Sequence, residues 1–276
     1  MEQISNFRDA GLSNMKRGLV YRSATLDKAS SNDIDKIINK LGVKTIIDLR
    51  GGGESLQAQG DESIYDYYTL KSLDSDSKSD SSRRLYRINL AKSLRSAMWN
   101  SISWWTKLLF IFYRLIGQKL YAYKVLMSNS FLGKEGLWGL NRGFIDYGTA
   151  DIKRFLDIMS KPETYPVIIH CSAGKDRTGL TISLLQAISK VRRPLIVKDY
   201  SMSQELLKDD RARLIKEVGK LGLGEEFAKS EPEIMETILN YLDSEYGSLE
   251  SYLASIGVDS TQQQQLANLL LENSKL

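Results

Sequence analysis

The sequence is short of cysteine and histidine: it has one of each, Cys171 and His170, in 276 residues. One cysteine excludes an internal disulfide, and a single His–Cys pair supplies too few ligands for a zinc site. An isolated thiol suits a reducing compartment. Met1-Glu2-Gln3-Ile4-Ser5-Asn6 has neither the basic nor the apolar region of a secretory signal, so a cytoplasmic location is expected. Excess charge is scarce too. Against 34 Asp plus Glu stand 38 Lys plus Arg, and the resulting +4 gives no argument for a nucleic-acid partner. No uncharged apolar run reaches the roughly 18 residues of a spanning helix, and no tandem repeat is present.

What the chain does have is a hydrophobic content of 42%, enough for a core, and a length that fits one α/β domain over residues 1–276 with insertions. Its two scarcest residues are adjacent, in Val167-Ile168-Ile169-His170-Cys171-Ser172-Ala173-Gly174-Lys175-Asp176-Arg177-Thr178-Gly179. A β-branched run, a short loop and a helical pattern follow one another here. Amides of residues 171–177 can curl into a nest at a helix N-terminus, where the dipole and unpaired N–H groups favour a dianion. Arg177 adds a planar fork that matches two phosphate oxygens. The same positive potential favours the thiolate of Cys171, the nucleophilic form of the side chain. One loop thus holds phosphate and activates the attacking group.

His-Cys-x-x-Gly-Lys-Asp-Arg-Thr-Gly resembles the signature loop of the cysteine-dependent protein tyrosine phosphatase superfamily. Its Lys-Asp form is similar to the bacterial and fungal tyrosine, dual-specificity and phosphoinositide phosphatases. A Walker A reading fails, because Gly174-Lys175 is followed by Asp176 and the earlier glycine is missing. The resemblance implies a mostly parallel sheet flanked by helices and a two-step hydrolysis through a cysteinyl-phosphate. Cys171 is then the nucleophile and Arg177 the phosphate clamp. His170, Ser172, Ala173, Gly174, Lys175 and Thr178 complete the cradle, with His170 ordering the loop and Thr178 donating to the sulfur. No metal or cofactor is called for. Asp176 is implied as the acid that protonates the leaving oxygen; its alternative is a structural cap on neighbouring amides, and Asp146 is a second candidate acid. The Trp-Pro-Asp loop of other tyrosine phosphatases has no match. Lys175 reads as a further cation at the rim, suited to a substrate with several phosphates, or as a solvated lysine.

Other segments carry the same resemblance: Asn6-Phe7-Arg8-Asp9, Tyr21-Arg22-Ser23, Ile47-Asp48-Leu49-Arg50, Asp199-Tyr200 and Tyr246-Gly247-Ser248. It covers about residues 6–54 and 144–275. Gly51-Gly52-Gly53-Glu54 is looser than the family's usual turn. Arg22, Asp48 and Arg50 read either as structural ion pairs at strand ends or as groups shaping the phosphate site. Strands are expected near 18–24, 43–50 and 63–70, helices over 32–41, 148–160 and 178–191, and a mobile loop over 72–84 with Asp74, Asp76 and Asp80 solvated.

Residues 94–126 stand apart. Met98, Ile102, Trp105, Leu109, Phe112, Ile116, Leu120 and Tyr123 step by three and four, predicting a long amphipathic helix or helix pair. Three roles are open to it: packing on the core, a lid over the active site, or peripheral contact with a membrane through 98–124. Pocket walls are expected from the unmatched stretch 55–143. The expected substrates are phosphotyrosine proteins with dual specificity or phosphoinositides, and a phosphate-binding module without turnover is the alternative.

Overall fold

Val167, Ile168 and Ile169 run through the middle of a six-stranded sheet and alternate between its two cores. The computed structural model describes residues 1–51, 54, 63–71 and 83–272. In chain order its elements are β1 (Arg8–Asp9), β2 (Val20–Ser23), α1 (Ser31–Asp35), β3 (Thr45–Asp48), β4 (Thr69–Leu70), β5 (Arg84–Arg87), α2 (Ala91–Ser101), α3 (Trp104–Leu115), α4 (Lys119–Asn129), α5 (Phe131–Tyr147) and α6 (Thr149–Met159). There follow β6 (Val167–His170), α7 (Asp176–Ile188), α8 (Arg193–Leu206), α9 (Arg211–Lys220), α10 (Pro232–Tyr246), α11 (Leu249–Ser255) and α12 (Ser260–Leu270).

The strand order is β1-β2-β6-β3-β5-β4, with β1 antiparallel and the other pairings parallel, as the resemblance implied. Buried on both faces, β3 and β6 read as unbroken β-branched runs. Val167 and Ile169 face the larger core, built with α5 to α8 and α10 to α12. Ile168 faces the smaller one, beside Ile37, Ile46 and Leu85. Ser23 and Asp48 both pair in register with His170, so three strands end together where the signature loop begins. Open parallel sheets bind ligands beyond such carboxyl ends.

Three expectations change. The helix predicted over 32–41 is α1 followed by a π-helical turn over Lys36–Lys40, ended by Gly42 at φ 61°. Of the strand expected over 63–70 only β4 pairs as a strand; Ser63 caps a 3-10 turn over Ile64–Tyr67 instead, because its hydroxyl accepts from the Tyr65 amide. The apolar stripe over 94–126 is neither one helix nor a pair but α2, α3 and α4. It breaks where Ser103 caps α3 and where Gly117, at φ 79°, lets the chain reverse. Residues 72–82, with Asp74, Asp76 and Asp80, and Gly52 and Gly53 lie outside the described residues. Among the described residues no helix is long and apolar enough to cross a membrane.

Candidate active site

The signature loop leaves β6 at His170 and enters α7 at Asp176. Gly174 turns it at φ 66°, and a Cβ there would stand 2.1 Å from the Ser23 carbonyl oxygen, so only glycine fits. The Gly174 N–H points at Cys171 Sγ, 3.2 Å away. With that amide turned inward, the loop's carbonyls turn outward and are tied from behind. Asn6 Nδ2 donates to Ala173 O and Gly174 O at 3.0 and 2.9 Å, and Arg22 Nη2 donates to Gly174 O at 2.8 Å. Asp199 takes Arg22 Nη1 at 2.6 Å and Arg8 Nε at 2.8 Å. Burial would raise the Asp199 carboxyl, but Arg22 and then Arg8 outweigh it and hold it low, so the ion triad stays charged. Arg22 is thus a structural ion-pair partner and a shaper of the loop at once.

His170 is fully buried behind the thiol. Its Nδ1 lies 3.3 Å from Cys171 O, which can only accept, so the proton sits on Nδ1 and Nε2 is left to face the Tyr65 hydroxyl at 3.3 Å. Burial lowers the imidazole's pKa despite Asp48 pulling the other way, which agrees with a neutral ring. Arg50 joins this layer through two bonds to Asp27 and two to Asp48.

Cys171, Ser172, Ala173, Lys175, Asp176 and Arg177 line one cavity of ≈ 390 Å³. His170, Gly174 and Thr178 stand behind it. The opposite wall is Leu214, Val218 and Leu221 from α9 and its end, with Phe227 and Ala228 beyond, and Arg213, Glu217 and Lys220 stand at the same side. Among the described residues none of 63–143 lines this cavity, contrary to the expectation that the walls come from there. No residue of α3 or α4 is among the lining.

Three residues differ from their expected places. Lys175 is not at the rim and not solvated: its side chain is 2% exposed, and Nζ donates to Phe227 O at 3.0 Å, Lys229 O at 2.6 Å and Asp176 Oδ1 at 2.9 Å. All three of its donors are engaged. Thr178 Oγ1 is buried without a hydrogen-bond partner, so the expected bond to the sulfur is not made in this structure. Asp146, the second candidate acid, accepts from Tyr241 and Tyr246 hydroxyls at 2.9 and 3.3 Å and is not part of the cavity. Asp176 is in it, its Oδ1 shared between Lys175 and a 3.5 Å contact from the Tyr200 hydroxyl.

One residue escaped the sequence reading. Glu54 faces Arg177 with both oxygens, Oε1 to Nη1 at 2.9 Å and Oε2 to Nη2 at 2.7 Å, and Oε2 also accepts from Ser172 Oγ at 3.2 Å. Burial would raise its carboxyl, but Arg177 outweighs burial and holds it low. Its only sequence signal was a carboxylate four residues after the Asp48-Leu49-Arg50 strand end, in a glycine run that read as a loose turn.

A model described as the tyrosine phosphatase family matches residues 1–272. The chain belongs to that family. The match runs across 55–143, for which the motifs alone offered no template. Among relatives of this family member, the tyrosine-protein phosphatase of Nostoc commune is 30% identical over 132 residues, 45% of this chain and 45% of that protein. The triple specificity protein phosphatase PtpB of Mycobacterium tuberculosis is 28% identical over 121 residues, 38% of this chain and 44% of that protein. The chain therefore matches less than half the length of these curated relatives. Among solved structures, the core catalytic domain of the PP-IP phosphatase Siw14 from S. cerevisiae aligns at a TM-score of 0.37 and 14% identity, over 80% of this chain and 96% of that one.

Proposed function

We propose that this chain hydrolyses phosphate monoesters through a cysteinyl-phosphate, with phosphotyrosine in proteins as the favoured substrate. The observation that carries the reading is Cys171 Sγ at the foot of a pocket with an inward amide 3.2 Å from it and Arg177 beside it. Cys171 attacks phosphorus, the P–O ester bond breaks, and the loop amides and Arg177 hold the equatorial oxygens as charge shifts. Asp176 gives its proton to the departing oxygen. In the second step water attacks phosphorus, the S–P bond breaks, the thiolate leaves, and Asp176 takes the water's proton. His170, neutral and buried, orders the Cys171 backbone and moves no proton. The activity is assigned to the cytosol, where a lone thiolate stays reduced.

An aryl ester is favoured over an alkyl one because Leu214, Val218, Leu221 and Phe227 offer a side for a ring to rest against. A second reading, phosphoinositide hydrolysis, is supported by Lys220 on that same side, which gives a further phosphate a partner that Lys175, with its donors engaged, and Arg213, ion-paired with Asp210 and Glu217, do not. The name of the triple specificity relative agrees with a broad substrate range.

The test is phosphate release from a phosphotyrosine peptide, a phosphoserine peptide and short-chain phosphoinositides, run beside Cys171→Ser. Loss of release in the serine variant is expected, with the tyrosine peptide ranked first. A serine variant with full activity would overturn the mechanism. Tight phosphopeptide binding without release by the unaltered chain would instead make this a binding module.

A further inference from the structure

The outward face of α3 is apolar and, among the described residues, exposed. Trp104, Leu108, Ile111 and Leu115 form one stripe and Trp105 and Phe112 mark the next; each is at least 45% exposed, and Leu115 reaches 81%. No residue of α3 is buried. Its other side is taken up by α4, with Phe110 against Tyr123 and Tyr113 against Tyr121, so the hairpin is braced without this face being covered. A contiguous apolar surface of this kind marks an interaction site.

Charge selects the partner. No acidic residue lies between Arg84 and Lys134, while the hairpin itself carries Lys107, Arg114, Lys119 and Lys124. A second copy would bring the same cations against these. An anionic lipid surface meets both demands, because interfacial helices place Trp and aliphatic side chains among the headgroups and acyl ends while Lys and Arg pair with lipid phosphates.

We propose that the α3–α4 hairpin is a docking surface for an anionic lipid bilayer. The hairpin is joined to the pocket wall: a Cβ on Gly222 would stand 2.8 Å from Lys124 N, and Leu223 packs with Met98 and Leu126. Both follow directly on α9, which lines the cavity, so a docked hairpin holds that wall beside the lipid surface. This inference does not depend on the reaction assigned to the pocket.

Flotation of the full chain with phosphatidylcholine vesicles, with and without phosphatidylserine, tests it. The chain should float with the anionic vesicles only, with its tryptophan emission shifted to the blue, and higher salt should weaken this binding. Arg114→Glu with Lys119→Glu should lower the partition by about tenfold or more, at about 1 kcal/mol per basic residue near the surface. Trp105→Ser with Leu115→Ser should remove binding while leaving the melting temperature unchanged. Absence of binding by the unaltered chain, or binding equal in both variant pairs and indifferent to salt, would overturn the proposal. So would a dimer detected by light scattering that the Trp105→Ser, Leu115→Ser pair dissolves, with no vesicle binding.

Discussion

Glu54 holds both terminal nitrogens of Arg177, at 2.9 and 2.7 Å, from across the loop that the arginine serves. The pair leaves Nε of the guanidinium out of its grip and fixes the plane of the fork. Glu54 reaches Ser172 as well, so a single carboxylate holds two residues of the signature loop.

Glu54→Gln keeps the shape of the side chain but only one acceptor oxygen and no charge. We expect kcat/KM to fall by about tenfold or more, since a misplaced clamp costs much of the benefit of orientation. Inhibition by inorganic phosphate, measured alongside, should weaken in parallel. Unchanged kinetics would mean that the loop alone orients Arg177.

Asp176→Asn separates the acid role from the capping role. Protonation of the leaving oxygen matters most when that oxygen is basic, so kcat on a phosphotyrosine peptide should fall by about 10²–10³. With p-nitrophenyl phosphate, whose leaving group needs little help, the loss should be far smaller. An equal loss on both substrates would assign Asp176 to structure.

Lys175 ties the loop to the backbone at Lys229 and at Phe227, which forms part of the opposite wall. Lys175→Met leaves two carbonyls and the Asp176 carboxylate short of a donor inside the protein. A loss of about 2–4 kcal/mol in urea unfolding is expected from such stranded partners. Activity should drop by the same factor on phosphotyrosine and on phosphoinositides. A loss confined to the polyphosphorylated substrate would return Lys175 to the rim role that its position in the motif suggested.

The difference between those two roles marks what the sequence could carry. Cys171, Arg177 and the β6-loop-α7 path were legible because they are local: a β-branched run, a positive-φ glycine and a helix within a dozen residues. The parallel sheet was an implication of the family resemblance that the same motif carries. Lys175 was misplaced because two of its three partners lie more than fifty positions away, and no local pattern reports a carbonyl at Phe227. Glu54 was missed for the same reason: its partner, Arg177, is remote in sequence. The stripe over 94–126 showed which residues are apolar but not what they face, since a helix pattern gives a side and not a neighbour. Asn6, Arg22 and Asp199 were noticed as motif residues, and only the convergence of Asn6 and Arg22 on Gly174, with Asp199 holding Arg22, shows what they share.

Acid should unfold the chain in two stages set by the layer behind the thiol. Burial lowers the His170 pKa from the ordinary 6.5, so below that value the unfolded chain binds a proton that the folded one refuses. Stability contributed by the neutral ring is complete above about pH 6.5 and falls as the pH drops toward the lowered folded value, with a slope of up to about 1.4 kcal/mol per pH unit. For Asp48 burial alone would raise the carboxyl, yet the imidazole of His170 in its protonated form and then Arg50 outweigh it and bring it to about 2. Its contribution is therefore complete above the ordinary 3.8 and is lost only as the pH falls from there toward 2. Urea midpoints taken from about pH 7.5 down to about pH 5 should decline in the unaltered chain and stay nearly flat in His170→Asn, whose amide has no proton to gain. The same decline in both would place the titrating group elsewhere.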